Sequence, residues 1–214
     1  MKTAVIAGYS GLVGSHLLHL LLADDHYDRV IGLGRKKIDL NHAKFTQFIV
    51  DFNALDFTAE KVDDVFCCLG TTMKKAGSKD KFRLVDFQYP LNLANVCLAK
   101  GANKFLMVSS MGASEHSGIF YNKVKGEVEK AVSQLGYKQV VFVRPSLLLG
   151  DRSESRLGED ISKVIMKSLE FMFFGPLKNY KAIKGSQVAR ALQYYAGNDE
   201  PGVRIYLSGQ LLKI

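Results

Sequence analysis

The chain alternates between short apolar runs and longer segments in which apolar residues recur at helical spacing. The apolar runs predict strands buried on both faces, as parallel strands are. They are Lys2–Ala7, Arg29–Leu33, Lys44–Val50, Asp64–Leu69, Lys104–Ser109 and Gln139–Arg144, with a shorter and weaker candidate at Val203–Leu207. The predicted helices are Leu12–Leu22, Asp80–Ala99, Tyr121–Leu135, Asp160–Phe171 and Ser186–Ala196.

This alternation predicts an α/β fold with a doubly wound, mostly parallel sheet and right-handed crossovers. No low-complexity linker or internal repeat interrupts the pattern, so residues 1–214 are interpreted as a single Rossmann-like domain with a small substrate-side region near the C-terminus. Ligands of such sheets bind at the carboxyl ends of the strands, where the strand order reverses. The residues that follow each strand are therefore the candidates for function.

Three glycines at equal spacing separate the first strand from the first helix, in the stretch AGYSGLVG. Gly8 can take backbone angles that other residues avoid, Gly11 leaves room for a pyrophosphate, and Gly14 lets the helix pack close to the sheet. The start of a helix also attracts phosphate through its free N–H groups and dipole. A plain turn is the alternative, but a turn between a strand and an apolar helix predicts dinucleotide binding.

Arg35 and Lys36 follow the second strand, where NAD-binding proteins usually carry an acidic residue for the ribose hydroxyls. Cations suit the 2′-phosphate of NADP instead, and arginine can bind it through two hydrogen bonds. The sequence therefore predicts NADP as the cofactor. Solvated basic residues in a surface loop are the alternative.

The third and fourth strands are followed by further candidates for cofactor contact. Asp51 could accept a hydrogen bond from an adenine amino group and Phe52 could flank the ring; equally, Asp51 could cap the next turn and Phe52 could belong to the core. After the fourth strand, Gly70 would let the backbone approach the cofactor, and Thr71 and Thr72 offer hydroxyl groups.

The fifth strand ends in Ser110, and the next helix begins with Tyr121 and Lys125. Residues four apart in a helix share a face. An ammonium group beside a phenol favours the phenolate, which helps the phenol exchange protons near neutral pH. Ser110 could then hydrogen-bond a substrate carbonyl and the alkoxide that forms from it. The alternative is an aromatic residue at the start of a helix and a solvated lysine paired with Glu129.

Composition narrows the choice of partners. The formal charge is +8, but the lysines are scattered and the run Arg35–Lys37 is too short to follow a duplex, so no nucleic acid is expected. The cysteines Cys67, Cys68 and Cys97 are odd in number and lack paired spacing, which favours a reducing compartment. The histidines are dispersed, and no metal site is predicted.

The sequence shows no signal peptide or membrane-spanning segment, and we expect a cytoplasmic protein that acts on a small molecule. The apolar stretch Phe171–Pro176 could be helix core, a pocket wall or a dimer contact. A homodimer and a protein partner both remain open.

These motifs together resemble the short-chain dehydrogenase/reductase superfamily, in its atypical branch, and the oxidoreductases of the Tat-interacting-protein type in particular. The most specific similarity lies in FCCLGTT and in VRPSLLLGDRSESR, at residues 66–72 and 143–156. VDF, SSMGA and VKGEVE also match. The resemblance implies an NADPH-binding Rossmann domain. Together with Ser110, Tyr121 and Lys125, it leads us to expect the reduction of a small carbonyl compound.

Carried over by position, the resemblance also assigns cofactor contacts. Those at the pyrophosphate turn would be Ser10, Leu12 and Val13, and those at the adenosine phosphate would be Arg35 and Lys36.

Leu69 and Gly70 would contact the adenosine side, Leu148 the nicotinamide region, and Arg156 would close over the cofactor or substrate. The Tyr–Lys pair would be catalytic. The chain departs from the superfamily at Asp86, where many members carry an asparagine that takes part in a proton relay.

The sequence leaves two functions open. The first is an NADPH-dependent oxidoreductase that uses Ser110, Tyr121 and Lys125. The second is a catalytically weak sensor or scaffold that binds NADP(H) and acts through protein partners, because a fold alone does not determine function.

Overall fold

The computed structural model describes residues 2–149 and 181–214. The strands are β1 (Thr3–Ala7), β2 (Arg29–Gly34), β3 (Phe45–Ile49), β4 (Asp64–Cys67), β5 (Lys104–Val108), β6 (Gln139–Arg144), β7 (Leu148–Leu149), β8 (Ile183–Lys184) and β9 (Gly202–Leu207). The helices are α1 (Leu12–Ala23), α2 (Met73–Ala76), α3 (Lys79–Arg83), α4 (Tyr89–Ala99), α5 (Phe120–Ser133), α6 (Gly185–Gly197) and α7 (Ser208–Leu211). A 3₁₀ turn at Phe52–Ala54 and a π-helical turn at Leu84–Gln88 complete the set.

The main sheet contains seven strands in the order β3-β2-β1-β4-β5-β6-β9, and all of its pairs are parallel. This confirms the predicted doubly wound parallel sheet. The strand order reverses between β1 and β4, which is where such sheets bind ligands. Strands β7 and β8 form a separate pair.

Each face of the sheet has its own core. Successive side chains of a strand point to opposite faces, so Ala4 and Ile6 of β1 pack in one cluster with residues of α1 and α6. Val5 and Ala7 belong to the other cluster, with residues of α4 and α5. The two helical layers thus bury both faces of the central strands, which explains why these strands are continuous apolar runs in the sequence.

The predicted strands agree with the structure to within a few residues, and the weakest candidate is confirmed as β9. The helix predicted over Asp80–Ala99 is confirmed as one continuous helical segment, in which the π-helical turn at Leu84–Gln88 joins α3 directly to α4. Pro90 has no N–H to donate to the carbonyl of Asp86, so the regular helical hydrogen bond cannot form there.

The predicted helix Asp160–Phe171 lies outside the described residues. The short elements α2, β7, β8 and α7 carry no periodic signal and were not predicted. Across residues 2–149 and 181–214, every helix is too short or too polar to cross a bilayer.

Candidate active site

The predicted site residues lie at one edge of the main sheet. Gly8 and Arg35 come directly after β1 and β2, and Gly70 and Ser110 follow β4 and β5 closely. The parallel pairing of these strands brings their carboxyl ends together at the point where the strand order reverses. The four segments therefore belong to one site.

Two of the glycines in the first turn are required by close packing. Gly8 has a φ of +82°, and a Cβ added there would lie 2.7 Å from the carbonyl oxygen of Cys68. A Cβ on Gly14 would lie 2.2 Å from the carbonyl oxygen of Gly8. The connection between β1 and α1 is therefore packed too tightly against β4 and against itself for larger residues at these two positions.

The remainder of the turn is open at the start of α1. The N–H of Gly11 donates to the carbonyl of Gly8 at 3.0 Å, and no side chain caps the helix. Ser10 and Gly11 are exposed, Leu12 is half-buried and Val13 is buried. Since the first N–H groups of a helix have no partner within it, this turn fits a pyrophosphate group that would bind to its main chain.

A hydrogen bond from Tyr9 connects the glycine turn to the segment after β2. The sequence analysis did not predict this contact. The tyrosine is 1% exposed, and its hydroxyl donates to the carbonyl oxygen of Lys36 at 2.8 Å. Burial raises the pKa of Tyr9 above its ordinary value, so the hydroxyl stays a donor. A Cβ on Gly32 or Gly34 would lie 2.9 Å from the ring. In the sequence, the two glycines on one face of β2 were the signal that a bulky side chain packs against this strand.

The cations predicted to bind the 2′-phosphate are accessible. Arg35 and Lys36 are both exposed directly after β2. Because Tyr9 holds the backbone of Lys36, the position of this segment relative to the glycine turn is set by a buried contact.

Asp51 and Phe52, the two candidates after β3, make the structural contacts that the sequence analysis gave as alternatives to adenine binding. Asp51 caps the 3₁₀ turn, because its Oδ1 accepts hydrogen bonds from the backbone and side-chain nitrogens of Asn53 at 2.9 and 2.8 Å. The ring of Phe52 is 3% exposed and stacks on Tyr89 with a centroid separation of 5.5 Å. Phe52 is thus core, with little ring surface left for an adenine.

The loop after β4 lies over two charged side chains. Leu69 and Thr71 are half-buried and Gly70 is exposed. The N–H of Thr71 donates to Oδ2 of Asp86 at 2.8 Å. A Cβ on Gly70 would lie 3.4 Å from Oδ1 of Asp86 and 3.7 Å from Nζ of Lys125. The backbone of Gly70 therefore closely approaches the lysine predicted to be catalytic.

Tyr121 and Lys125 both belong to α5. Tyr121 is half-buried in the first turn, and its ring packs against Phe82 at 5.3 Å between centroids. Lys125 is buried, with its Nζ 2.7 Å from Oδ1 of Asp86. Burial alone would lower the pKa of Lys125, but the attraction of Asp86 and of the Tyr121 phenol outweighs it and holds that pKa above the ordinary lysine value.

The alternative partner considered for Lys125 is wrong, because Glu129 is bound elsewhere. The carboxylate of Glu129 accepts two hydrogen bonds from the guanidinium of Arg144, at 3.0 and 2.5 Å, and a third from the hydroxyl of Ser109. These contacts tie α5 to the ends of β5 and β6. Sequence reasoning missed this role of Glu129, which is the last residue of the VKGEVE stretch.

Unlike the hydroxyl of Ser109, which donates to Glu129, the hydroxyl of Ser110 has no hydrogen-bond partner among the described residues. Ser110 is 8% exposed. A buried polar group without a partner is unusual. At this edge of the sheet it fits a group that forms its hydrogen bond with a ligand.

Leu148 lies in β7, where it pairs with Ile183 of β8 and is half-buried. Arg156 and the stretch Phe171–Pro176 fall outside the described residues.

One edge of a Rossmann-type sheet thus carries an open glycine turn, a buried lysine close to the loop after β4, and a serine hydroxyl that has no partner among the residues described. The family model described as "NAD dependent epimerase/dehydratase family" matches residues 4–180. The chain belongs to this family. The family uses a nicotinamide dinucleotide, and its epimerases and dehydratases act on small molecules.

Two relatives are similar to this chain over most of their own length. Protein HTATIP2 from Rattus norvegicus is 39% identical over 174 residues, which cover 78% of this chain and 72% of that protein. The mitochondrial protein FMP52 from Candida glabrata is 34% identical over 161 residues, covering 73% and 68%. The first of these confirms the resemblance to the Tat-interacting-protein type.

Solved structures of epimerases share the fold at low sequence identity. A UDP-N-acetylglucosamine 4-epimerase from Methanobrevibacter ruminantium M1 has a TM-score of 0.72 at 18% identity, covering 96% of this chain and 76% of its own. A UDP-glucuronic acid 4-epimerase from Bacillus cereus in complex with NAD has a TM-score of 0.69 at 15% identity, covering 96% and 78%. At these identities the likeness establishes the fold alone.

The expectation of a plainly cytoplasmic protein is contradicted by the relatives. FMP52 proteins from Candida glabrata, Scheffersomyces stipitis and Coccidioides immitis are named mitochondrial. The expectation rested on unpaired cysteines and on the residues at the start of the chain. Unpaired cysteines report on redox conditions and cannot distinguish one reducing compartment from another.

Proposed function

We propose that this protein is an NADPH-dependent oxidoreductase that reduces the carbonyl group of a small molecule. The observation that carries the proposal is the combination of the buried Lys125, the half-buried Tyr121 on the same helix, and the Ser110 hydroxyl that has no partner among the described residues. A charged lysine, a phenol and a free hydroxyl are the groups that proton transfer to a carbonyl oxygen requires.

The bound cofactor would supply a hydride to the carbonyl carbon. The Ser110 hydroxyl would donate a hydrogen bond to the carbonyl oxygen and orient it. Tyr121 would donate its phenolic proton to that oxygen as negative charge develops, and the resulting phenolate would regain a proton from solvent. Lys125 would stabilise the phenolate through its positive charge. The product is the corresponding alcohol.

The choice of NADPH is supported by the segment after β2. Arg35 and Lys36 are exposed there, and the buried Tyr9 holds the backbone carbonyl of Lys36. Ser10, Gly11, Leu12 and Val13 would hold the pyrophosphate through main-chain N–H groups. Leu69, Gly70 and Thr71 would face the adenosine side, and Leu148 and Arg156 the nicotinamide side.

The surroundings of the site support a carbonyl compound with apolar substituents rather than a sugar nucleotide. Large apolar side chains are exposed after three consecutive strands of the site: Met73 (38%) after β4, Ile119 (63%) after β5 and Leu147 (62%) after β6. Apolar surface of this kind gains free energy when an apolar ligand covers it. A substrate panel should therefore include aliphatic and aromatic ketones, aldehydes, quinones and UDP-sugars.

Titration of NADPH and NADH by fluorescence tests the cofactor. We expect the wild-type protein to prefer NADPH, and the double variant Arg35→Ala/Lys36→Ala to lose that preference, because the charge-assisted contacts to one phosphate are removed. Lys37→Ala is the matched control, since it removes an exposed cation from the same run and should keep the preference. A wild-type preference for NADH would refute the assignment.

The sensor function is the other outcome of the same experiments. Tight NADPH binding without reduction of any carbonyl in the panel would favour a protein that binds NADP(H) and acts through a protein partner.

A further inference from the structure

The positive charge of Lys125 is compensated by the buried carboxylate of Asp86. The side chains of Lys125 and Asp86 are 4% and 1% exposed, and their charged atoms lie 2.7 Å apart. The titratable groups that face the ammonium are Asp86 from the π-helical turn, Tyr121 from its own helix and Cys67 from the end of β4. Asp86 is the carboxylate in this set.

A hydrogen-bond donor from another element reaches the other oxygen of the same carboxylate. While Oδ1 of Asp86 faces Lys125, Oδ2 accepts the N–H of Thr71 at 2.8 Å. Asp86 therefore connects α5 to the loop after β4. An asparagine has one oxygen and would turn its NH₂ group towards one of these two donors. Only a carboxylate can form the ion pair with Lys125 through one oxygen and accept the N–H of Thr71 through the other.

The backbone of the π-helical turn positions Asp86 beside Lys125. Asp86 lies in the π-helical turn between α3 and α4, and Pro90 in α4 has no N–H to give to the carbonyl of Asp86. The wider π-helical turn lies where the proline removes one regular helical hydrogen bond. The aspartate and the proline thus form one local feature beside the lysine.

We propose that Asp86 is a positioning residue for the reaction, which holds the ammonium group of Lys125 and the backbone of Thr71 in one arrangement beside Tyr121. The inference rests on the proposed oxidoreductase function. Asp86 acts through Lys125 and does not contact the substrate. Its negative charge keeps the lysine protonated in an interior where burial alone would favour the neutral amine.

The test replaces Asp86 by asparagine and compares it with Asp80→Asn, which removes an exposed carboxylate from the adjacent helix α3. NMR titration of ¹³C-labelled lysine side chains, with the Lys125 signal assigned through Lys125→Met, measures the lysine charge without cofactor or substrate. We expect the Lys125 midpoint in D86N to fall below the ordinary value of about 10.4. It should stay in its wild-type position in D80N.

Turnover supplies the second measurement. In D86N, the alkaline loss of NADPH-dependent reduction should move to lower pH together with the lysine midpoint. Asp86→Glu decides the matter if D86N does not fold. It should keep the lysine charged but lower kcat by roughly tenfold, with the KM for NADPH unchanged, because the carboxylate is displaced by one methylene.

An unchanged Lys125 midpoint in D86N, or wild-type turnover at every pH in both variants, would overturn the proposal. Its failure is separable from that of the proposed function. If the wild-type protein reduces no carbonyl, the oxidoreductase function is refuted, whereas the lysine titration still supports or overturns the pairing of Asp86 with Lys125.

Discussion

Tyr121 and Lys125 lie on the same helix face but differ in burial. Tyr121 is half-buried in the first turn of α5, whereas Lys125 is 3% exposed and bound to Asp86. A partly exposed phenol can meet a ligand that arrives from solvent. A buried ammonium acts mainly on the groups packed around it. This difference supports the proposed roles of Tyr121 in proton transfer and of Lys125 in electrostatic support.

Tyr121→Phe tests this assignment at a single atom. The variant keeps the ring that packs against Phe82 and removes only the hydroxyl. We expect kcat to fall at least about 100-fold, the usual effect of removing a general acid, with the NADPH Kd within about twofold of wild type. Steady-state kinetics over the carbonyl panel and a fluorescence titration provide the two measurements.

Tyr137→Phe is the matched control for this substitution. The hydroxyl of Tyr137 is buried and donates to the carbonyl of Ala94 at 2.6 Å, away from the candidate site. Its loss should lower the free energy of unfolding by about 1 kcal/mol and leave turnover unchanged. Unchanged turnover in Tyr121→Phe would refute the proton-donor role.

At the scale of elements, the placement of α5 depends on a close contact at Gly126. A Cβ on this residue would lie 2.1 Å from the carbonyl carbon of Ser114, so the helix packs directly against the backbone of the preceding loop. The ion pair between Glu129 and Arg144 ties the same helix to β6. The position of the proposed catalytic pair, Tyr121 and Lys125, is therefore set by the packing of a whole helix.

Gly126→Ala should push α5 away from this loop. Alanine has the higher helix propensity by about 1 kcal/mol, yet we expect a net loss of about 1–3 kcal/mol in the free energy of unfolding, because the added methyl group overlaps backbone atoms. Turnover should fall as well, since Tyr121 and Lys125 move with the helix. Urea unfolding and kinetics measure the two effects.

Gly118→Ala controls for the loss of a glycine. Residue 118 lies in the same loop, and a Cβ there would meet nothing within 4 Å. The Gly118→Ala variant should keep the free energy of unfolding and the turnover close to those of the wild type. A Gly126→Ala protein that is as stable and active as Gly118→Ala would show that the close contact is unimportant.

At the scale of the whole molecule, charged side chains also fill the edge of the sheet opposite the site. Asp64 at the start of β4 accepts a hydrogen bond from the Tyr27 hydroxyl at 2.6 Å and lies 2.9 Å from the ammonium of Lys2. Asp63 pairs with Lys61 at 2.7 Å and accepts the N–H of Thr3 at 2.8 Å. These contacts join the amino ends of β1 and β4, so they contribute to stability rather than to chemistry.

Asp63 makes part of this stability depend on pH. Burial alone would raise the pKa of Asp63, but the hydrogen bonds from Lys61 and Thr3 outweigh it and hold that pKa below 3.8. A carboxyl whose pKa is lowered on folding stabilises the protein above its unfolded pKa, and this contribution is lost as the pH falls through the folded pKa.

Asp63→Asn should therefore lower the free energy of unfolding by about 1–2 kcal/mol at pH 7. The difference from wild type should narrow as the pH falls below 3.8, the ordinary value for this carboxyl. Urea unfolding at a series of pH values measures it. Asp56→Asn, at an exposed position, is the control. A difference that is independent of pH would contradict the prediction.

Much of the fold could be predicted because its signals are local. Strands buried on both faces must be apolar along their whole length, so the runs that became β1, β2 and β5 were visible in the sequence. Gly8 and Gly14 were recognisable because close packing between a strand and a helix permits few other residues. The π-helical turn before α4 was not predicted, although Pro90 was its local sign.

The sequence by itself determined the order of strands and helices, the glycine turn and the helical spacing of Tyr121 and Lys125. Only the tertiary structure decided which charges meet: Lys125 with Asp86, and Glu129 with Arg144. The physical reason is that periodicity is a property of neighbouring residues, whereas an ion pair between distant segments depends on how the sheet brings them together. The pairing that the sequence offered for Lys125 was the local one, and burial in the folded protein selected another.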